Sequence, residues 1–162
     1  RKSRGPLQLG LGADGELKPI SHLMDPALWT RNDSGQKYSC VYDEAEKAVR
    51  FDVAWTGETG PWFFPVHALK LPEESLAGVK MLEFEVKSCM DKVENDFNAA
   101  VLMPLYKDGR CVHLHYSAPT FNWEVRRVAL PDDAANITAF RVGANPRGRK
   151  LTFWLRGFRL LK

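Results

Sequence analysis

No long apolar run is present: stretches such as Phe97 to Tyr106 fall far short of the roughly 20 residues that a membrane-spanning helix requires, so membrane insertion is not expected. Cysteine is scarce. Cys40, Cys89 and Cys111 are an odd set that cannot all pair within one chain, and none lies in the Cys-x-x-Cys arrangement used by zinc and redox sites. They read as buried free thiols, with one disulfide plus a spare thiol left open; Cys89 and Cys111 are the pair to test, because both fall in adjacent strand-like segments. A large charge of one sign is also missing. The 23 basic and 20 acidic residues leave a net +3, and Arg147-Gly148-Arg149-Lys150 is a lone basic turn, which offers nucleic acid little electrostatic footprint. Neither Gly-x-Ser-x-Gly nor Gly-x-x-x-x-Gly-Lys occurs, removing two common signatures of hydrolases and phosphate binders. The first residue is not Met and no apolar signal segment follows, so the chain reads as an excised or processed fragment.

What is present fits one soluble domain. A chain of 162 residues with 44% hydrophobic and 27% charged residues can bury about two-thirds of its unfolded surface. Residues 1–24, rich in Gly and Pro, read as a leading strand with linker-like turns, and residues 25–162 as a β-sandwich domain. Nine segments are short, rich in β-branched and aromatic residues, and mostly bounded by Gly, Pro, Asn or Asp. They are Lys37 to Tyr42, Ala48 to Trp55, Trp62 to Leu71, Lys80 to Ser88, Asn98 to Tyr106, Arg110 to Tyr116, Trp123 to Leu130, Ile137 to Gly143 and Leu151 to Leu161. In Leu82-Glu83-Phe84-Glu85-Val86-Lys87 apolar and charged residues alternate strictly, the mark of a half-buried strand. Val112, Leu114 and Tyr116 share one face of theirs, leaving His113 and His115 on the other. Helical periodicity is confined to one candidate turn, Pro72 to Gly78. The expected class is all-β: a two-sheet antiparallel β-sandwich of jelly-roll type with little helix.

The excess lies in aromatic residues: five Trp, nine Phe and four Tyr. Several stand in an ordered series of strand cores and turns. The series runs Phe51-Asp52-Val53, Trp62 with Pro65, Leu69-x-Leu71-Pro72, Leu82-x-Phe84-x-Val86, then Tyr116-Ser117-Ala118-Pro119-Thr120 into Trp123-Glu124. It ends with Phe140-Arg141-Val142-Gly143-Ala144-Asn145-Pro146 and the closing Leu151-Thr152-Phe153-Trp154-Leu155-Arg156-Gly157-Phe158-Arg159-Leu160. This series, over roughly residues 25–162, resembles the β-jelly-roll carbohydrate-binding modules appended to bacterial glycoside hydrolases. Gly157 stands where such modules often carry Asn. The resemblance implies a groove across one sheet or along its edge, where aromatic rings stack on sugars. Independently of it, pyranose C–H faces pack on indoles while hydroxyls need planar polar groups at the rim.

By alternation Trp55 and Trp123 read as core. Trp154, beside Arg156, reads as partly exposed, and Trp29, ahead of a polar run, as a rim aromatic. Trp62, after Gly57-x-x-Gly60-Pro61, is the leading ligand candidate, with loop anchoring as the alternative. His113 and His115 lack the acid and third histidine at the spacing of a metal site, and are weighed as sugar contacts against a plain solvated face. Asn98 and Arg141 are polar residues inside apolar strands and can line the same groove or satisfy backbone groups. Asp91, Glu94, Asn95 and Asp96 cluster in one turn with the hard oxygen donors that calcium takes, so they are candidate ligands of a structural calcium, weighed against a solvated acidic turn. Glu83 and Glu85 share a strand face about 7 Å apart, which overlaps hydrolase geometry but also fits an ordinary wet face.

These readings converge on a non-catalytic module that needs no cofactor. It would bind a polysaccharide, preferably a β-glucan or xylan, through Trp62, Trp154 or Trp29 with His113, His115, Asn98 and Arg141. The implied partner is a catalytic domain in the same parent chain, with a monomeric, extracellular or cell-surface setting. A structural sandwich packing on a neighbouring domain is the alternative, and a small polysaccharide-cleaving jelly roll is a third.

Overall fold

A computed structural model of the chain describes residues 17–32, 37–54, 62–90, 100–116, 121–145 and 150–162. The strands in chain order are β1 (Leu17–Pro19), β2 (Trp29–Asn32), β3 (Lys37–Asp43), β4 (Ala48–Ala54), β5 (Pro65–Ala68), β6 (Met81–Met90), β7 (Ala100–Tyr106), β8 (Leu114–Tyr116), β9 (Glu124–Ala129), β10 (Ile137–Ala144) and β11 (Lys150–Leu161). They form two antiparallel sheets, one ordered β3-β4-β11-β6-β9 with β1 also paired to β11, the other β2-β5-β10-β7-β8. The expected all-β sandwich is what forms. Helix among the described residues is limited to three short 3-10 turns, Ser21–Met24, Pro26–Leu28 and Ala134–Asn136. None is long and apolar enough to cross a membrane. The segment Pro72 to Gly78 folds as turns, not as the helical turn expected there.

Period-two alternation builds the layers. On β6, Leu82, Phe84, Val86, Ser88 and Met90 point inward while Glu83, Glu85, Lys87 and Cys89 point out. The central strand β11 pairs with β4 on one side and β6 on the other. Its inward residues are Leu151, Phe153 and Leu155, then Phe158 and Leu160, so the parity changes midway. The cause is a bulge between Arg156 and Arg159, where two residues oppose one on β6. Gly157 occupies it at φ +65°, a conformation that disfavours any side chain.

The inner faces hold most of the aromatic surplus. Phe51 touches Trp29, Tyr38 and Phe63, and Phe63 meets Phe153 edge-on at 6.3 Å. Farther along, Phe84 stacks on Phe158 at 5.7 Å and meets Tyr116 edge-on at 5.0 Å. Fully burying one such ring contributes about 1.5–3 kcal/mol.

Two expectations need correction. Trp29 is not a rim aromatic: it is 4% exposed, and its indole N–H donates to the Leu23 carbonyl at 2.8 Å, tying the Ser21–Met24 turn to β2. Trp123 is not core: it shares a face with Val125, as alternation implied, but Val125 is 53% exposed and that face is the outer one. The three thiols are free, as expected from sequence, but half-buried; Cys89 and Cys111, the pair left open, stand on different sheets. Trp55 lies outside the described residues.

Among the described residues three polar side chains are buried, Glu74, Ser88 and, on β5, His67. Its Nε2 lies 2.9 Å from the His22 carbonyl, which can only accept, so the proton sits on Nε2, and Trp29 packs edge-on at 5.2 Å. Burial holds its pKa below the ordinary imidazole value. The unfolded chain protonates His67 as pH falls through about 6.5 while the folded protein does not, so this stability is complete above that value and declines below it. Urea midpoints measured from about pH 8 down to about pH 5 should therefore fall, and fall less steeply in His67→Gln. An equal slope in the variant contradicts this assignment.

Candidate functional site

Phe63 bridges Ala144 of β10 through two backbone hydrogen bonds and is fully buried. In Trp62-Phe63-Phe64 the alternation therefore turns Trp62 and Phe64 to the outer face of the β2-β5-β10-β7-β8 sheet. There the Phe64 ring lies over Gly143: a Cβ at that glycine would come within 2.4 Å of the ring and 2.8 Å of Val101. Trp62, half-buried, stacks on Phe64 with the planes 2° apart and centroids at 5.7 Å. The Arg141 guanidinium stands 5.5 Å from the Phe64 centroid on the same face.

The register extends this face. Gly143 pairs with Val101, and Val101 with His115, so Phe64 and His115 belong to one transverse row. Arg141 lies between Val66 and Met103 in the next row, and Ala139 between Ala68 and Leu105 in a third. Leu105 bridges Cys111. Small side chains in the third row leave a groove of about 500 Å³ over Val66, Ala68, Ala139, Leu105 and Cys111, with Arg141 on one side and Arg110 at the β7–β8 turn. That volume is in the range of ligand sites. Arg110 is fixed there by Asp133 and Asp108 and covers the Tyr106 ring at 4.1 Å. Burial pushes the Cys111 thiol up, and the Arg141 charge opposes the shift. His115 on β8 and His113 just before it are exposed, their rings 6.4 Å apart.

The opposite sheet has a different outer face. The Trp154 indole donates to Asp43 at 3.0 Å and the Trp123 indole to Glu46 at 3.1 Å. Lys87 lies 4.4 Å from the Trp154 ring and pairs with Glu46, while Arg156 covers Trp123 at 3.8 Å and donates to the Glu46 carbonyl. Hydrogen bonds hold both carboxyls below the usual range, from Trp154 at Asp43 and from Lys87 and Trp123 at Glu46. Both indoles have an N–H committed and a face covered by a cation. Glu83 and Glu85 are held by Arg127 and Arg156, an ordinary charged face.

Several solved structures share the architecture. A family 11 carbohydrate-binding module from Clostridium thermocellum, in complex with a β-1,3-1,4-mixed-linked tetrasaccharide, superposes with a TM-score of 0.60 at 17% identity, over 91% of this chain and 96% of the other. The family 11 module of a cellulosomal cellulase of Clostridium thermocellum gives 0.58 at 11% identity, over 90% and 94%. A variant of a family 29 module gives 0.58 at 12%, over 91% of each. The chain has the β-jelly-roll fold of carbohydrate-binding modules. No protein-family model matches it, and no curated protein matches it in sequence.

On this carbohydrate-binding-module fold, the site residues expected from sequence fall into four groups. Trp62, Arg141, His113 and His115 share the outer face of one sheet. Trp154 lies on the opposite sheet, and Trp29 is inside the sandwich. Asn98 and the acidic turn of Asp91, Glu94, Asn95 and Asp96 lie outside the described residues, among which no group of three or more His, Cys, Asp or Glu could hold a metal ion. Phe64, Gly143 and Arg110 were missed, although three consecutive aromatics on a period-two strand require the first and third to share a face.

Gly143→Val tests the ring platform. Overpacking costs about 1–3 kcal/mol, and the displaced Phe64 ring should weaken the near-ultraviolet circular dichroism of the Trp62 stack. An unaltered spectrum and urea midpoint would show that Phe64 does not lie over Gly143.

Proposed function

We propose that this protein is a non-catalytic carbohydrate-binding module that holds a polysaccharide of β-glucan or xylan type on the outer face of the β2-β5-β10-β7-β8 sheet. The observation that carries the reading is the parallel Trp62–Phe64 pair beside Arg141, at one end of a groove of ligand size. The rings supply an apolar platform for sugar C–H groups, and Arg141, His113 and His115 supply polar contacts for substituents. Likeness in fold to a module solved with a mixed-linkage tetrasaccharide supports this assignment. So does the covering of the indoles on the opposite sheet, which leaves Trp154 in a structural role.

In this reading the module serves a glycoside hydrolase in the same parent chain, outside the cell or at its surface. It raises the enzyme's effective concentration on an extended substrate without chemistry of its own. A similar sandwich spans 25% of an exo-β-agarase chain, at a TM-score of 0.57 and 8% identity, which supports such an arrangement. The module acts as a monomer and needs no cofactor for binding. A calcium ion at Asp91, Glu94, Asn95 and Asp96 would be structural, so chelation would lower Tm and spare binding.

Affinity electrophoresis against mixed-linkage β-glucan and xylan tests the proposal. Trp62→Ala should weaken retention about tenfold, the loss of one stacking platform, and Trp154→Ala should retain wild-type mobility shifts. Wild-type retention in both Trp62→Ala and the His113→Ala/His115→Ala double variant would overturn the site. Absence of retention on every polysaccharide would favour a structural domain packing on a neighbour.

A further inference from the structure

We infer that Phe121, on the chain between β8 and β9, is a further ligand contact that takes the polysaccharide past the β8 edge of the platform sheet; this rests on the carbohydrate-binding reading above and extends its site. Phe121 has φ +65°. In that left-handed region a Cβ crowds the backbone, and for a bulky residue the conformation is a genuine outlier. The backbone N–H donates to the Ser88 carbonyl at 2.7 Å, a bond that glycine or asparagine would make equally well. Burial does not account for the ring either. At 54% exposed, Phe121 is the most exposed large apolar residue among those described. The other described non-glycine residue at positive φ, Lys47, lies in the β3–β4 turn, where such a conformation is ordinary. Neither backbone preference nor packing thus selects phenylalanine at position 121, and violations of local rules of this kind collect at functional sites.

Strand register gives the place of this residue. Ser88 pairs with Phe153, Phe153 meets Phe63, and Phe63 bridges Ala144. Ala144 pairs with Ala100, and Ala100 with Tyr116. One level of the sandwich therefore holds Ser88 in one sheet and, in the other, Phe63 and Tyr116, which adjoin Trp62, Phe64 and His115 in the chain. Phe121 is bonded at that level, where the chain passes from β8 in one sheet to β9 in the other. The row of Phe64, Gly143, Val101 and His115 crosses three strand spacings, about 14 Å, and leaves the sheet at β8 toward the same crossing. A left-handed residue also interrupts extended backbone, so alternation with Trp123 does not commit Phe121 to the opposite sheet's outer face. A polysaccharide that stacks on Trp62 and reaches His115 would continue onto the Phe121 ring, whose face packs on sugar C–H groups as an indole does.

Affinity electrophoresis against mixed-linkage β-glucan and xylan, with urea midpoints measured on the same proteins, tests the contact. Phe121→Gly should weaken retention about fivefold. Its urea midpoint should hold at or above the wild-type value, because relief of the left-handed strain offsets the partial burial that the ring loses. Phe121→Tyr, which keeps the ring, should be retained as the wild type is. Wild-type retention in Phe121→Gly, with Trp62→Ala weakened, would overturn the Phe121 contact and leave the carbohydrate-binding reading intact. A midpoint lowered by more than about 0.5 M in Phe121→Gly would overturn it as well, since the ring would then serve the fold. Retention of the wild type on neither polymer would overturn both.

Discussion

Strand β11 can face the core along its whole length only because its pairing with β6 slips by one residue between Arg156 and Arg159. Without the slip, the alternation that buries Leu151, Phe153 and Leu155 would turn Gly157 and Arg159 inward and Phe158 outward. The bulge restores Phe158 to the cluster with Phe84 and Tyr116, and Leu160 to the core. Only a residue tolerant of positive φ fits there, and a Cβ would also approach Glu85 to 3.0 Å. Because β11 joins β4, β6 and β1 in one sheet, this single irregularity lets that sheet present a continuous apolar face to the other.

A second glycine does comparable work on the outside. Gly143 leaves the space that the Phe64 ring occupies, and Trp62 stacks on Phe64 in turn. The core-side bridge of Phe63 to Ala144 sets the parity that exposes both rings. The groove is thus a consequence of the same period-two rule that builds the core, read on the opposite face. On the other sheet the rule exposes Trp123 and Trp154, but there Lys87, Arg156, Asp43 and Glu46 close over them and fasten the β3–β4 turn. The same side-chain type has two roles, decided by whether a cation covers the ring.

Much of the fold was legible from the residues. Segments such as Ala48 to Trp55, Lys80 to Ser88 and Leu151 to Leu161 end within a residue or two of the strands that form, because alternation and Gly or Pro boundaries are local properties. Strand β2 was not found: Trp29–Asn32 has no alternation of its own and is held by pairing with β5. Faces were harder than strands. Alternation placed Trp123 with Val125 correctly, but an edge strand of mixed polarity does not reveal which of its faces is inner. Trp29 was misread because its polar successors suggest a rim, whereas the Leu23 carbonyl it needs for its indole N–H comes from a 3-10 turn six residues earlier. The shared face of Arg141, His113 and His115 depended on register between three strands, which single-strand patterns do not contain.

The central claim is that ligand binding belongs to the outer face of the β2-β5-β10-β7-β8 sheet. Amide and indole shift mapping by nuclear magnetic resonance, with mixed-linkage β-glucan and xylan oligosaccharides added to the wild-type protein, tests it directly. The account predicts that the largest changes fall on Trp62, Phe64, Arg141, Gly143 and His115, with the Trp123 and Trp154 indole N–H signals unmoved. Changes centred on Trp154, Lys87 and Arg156 would contradict it.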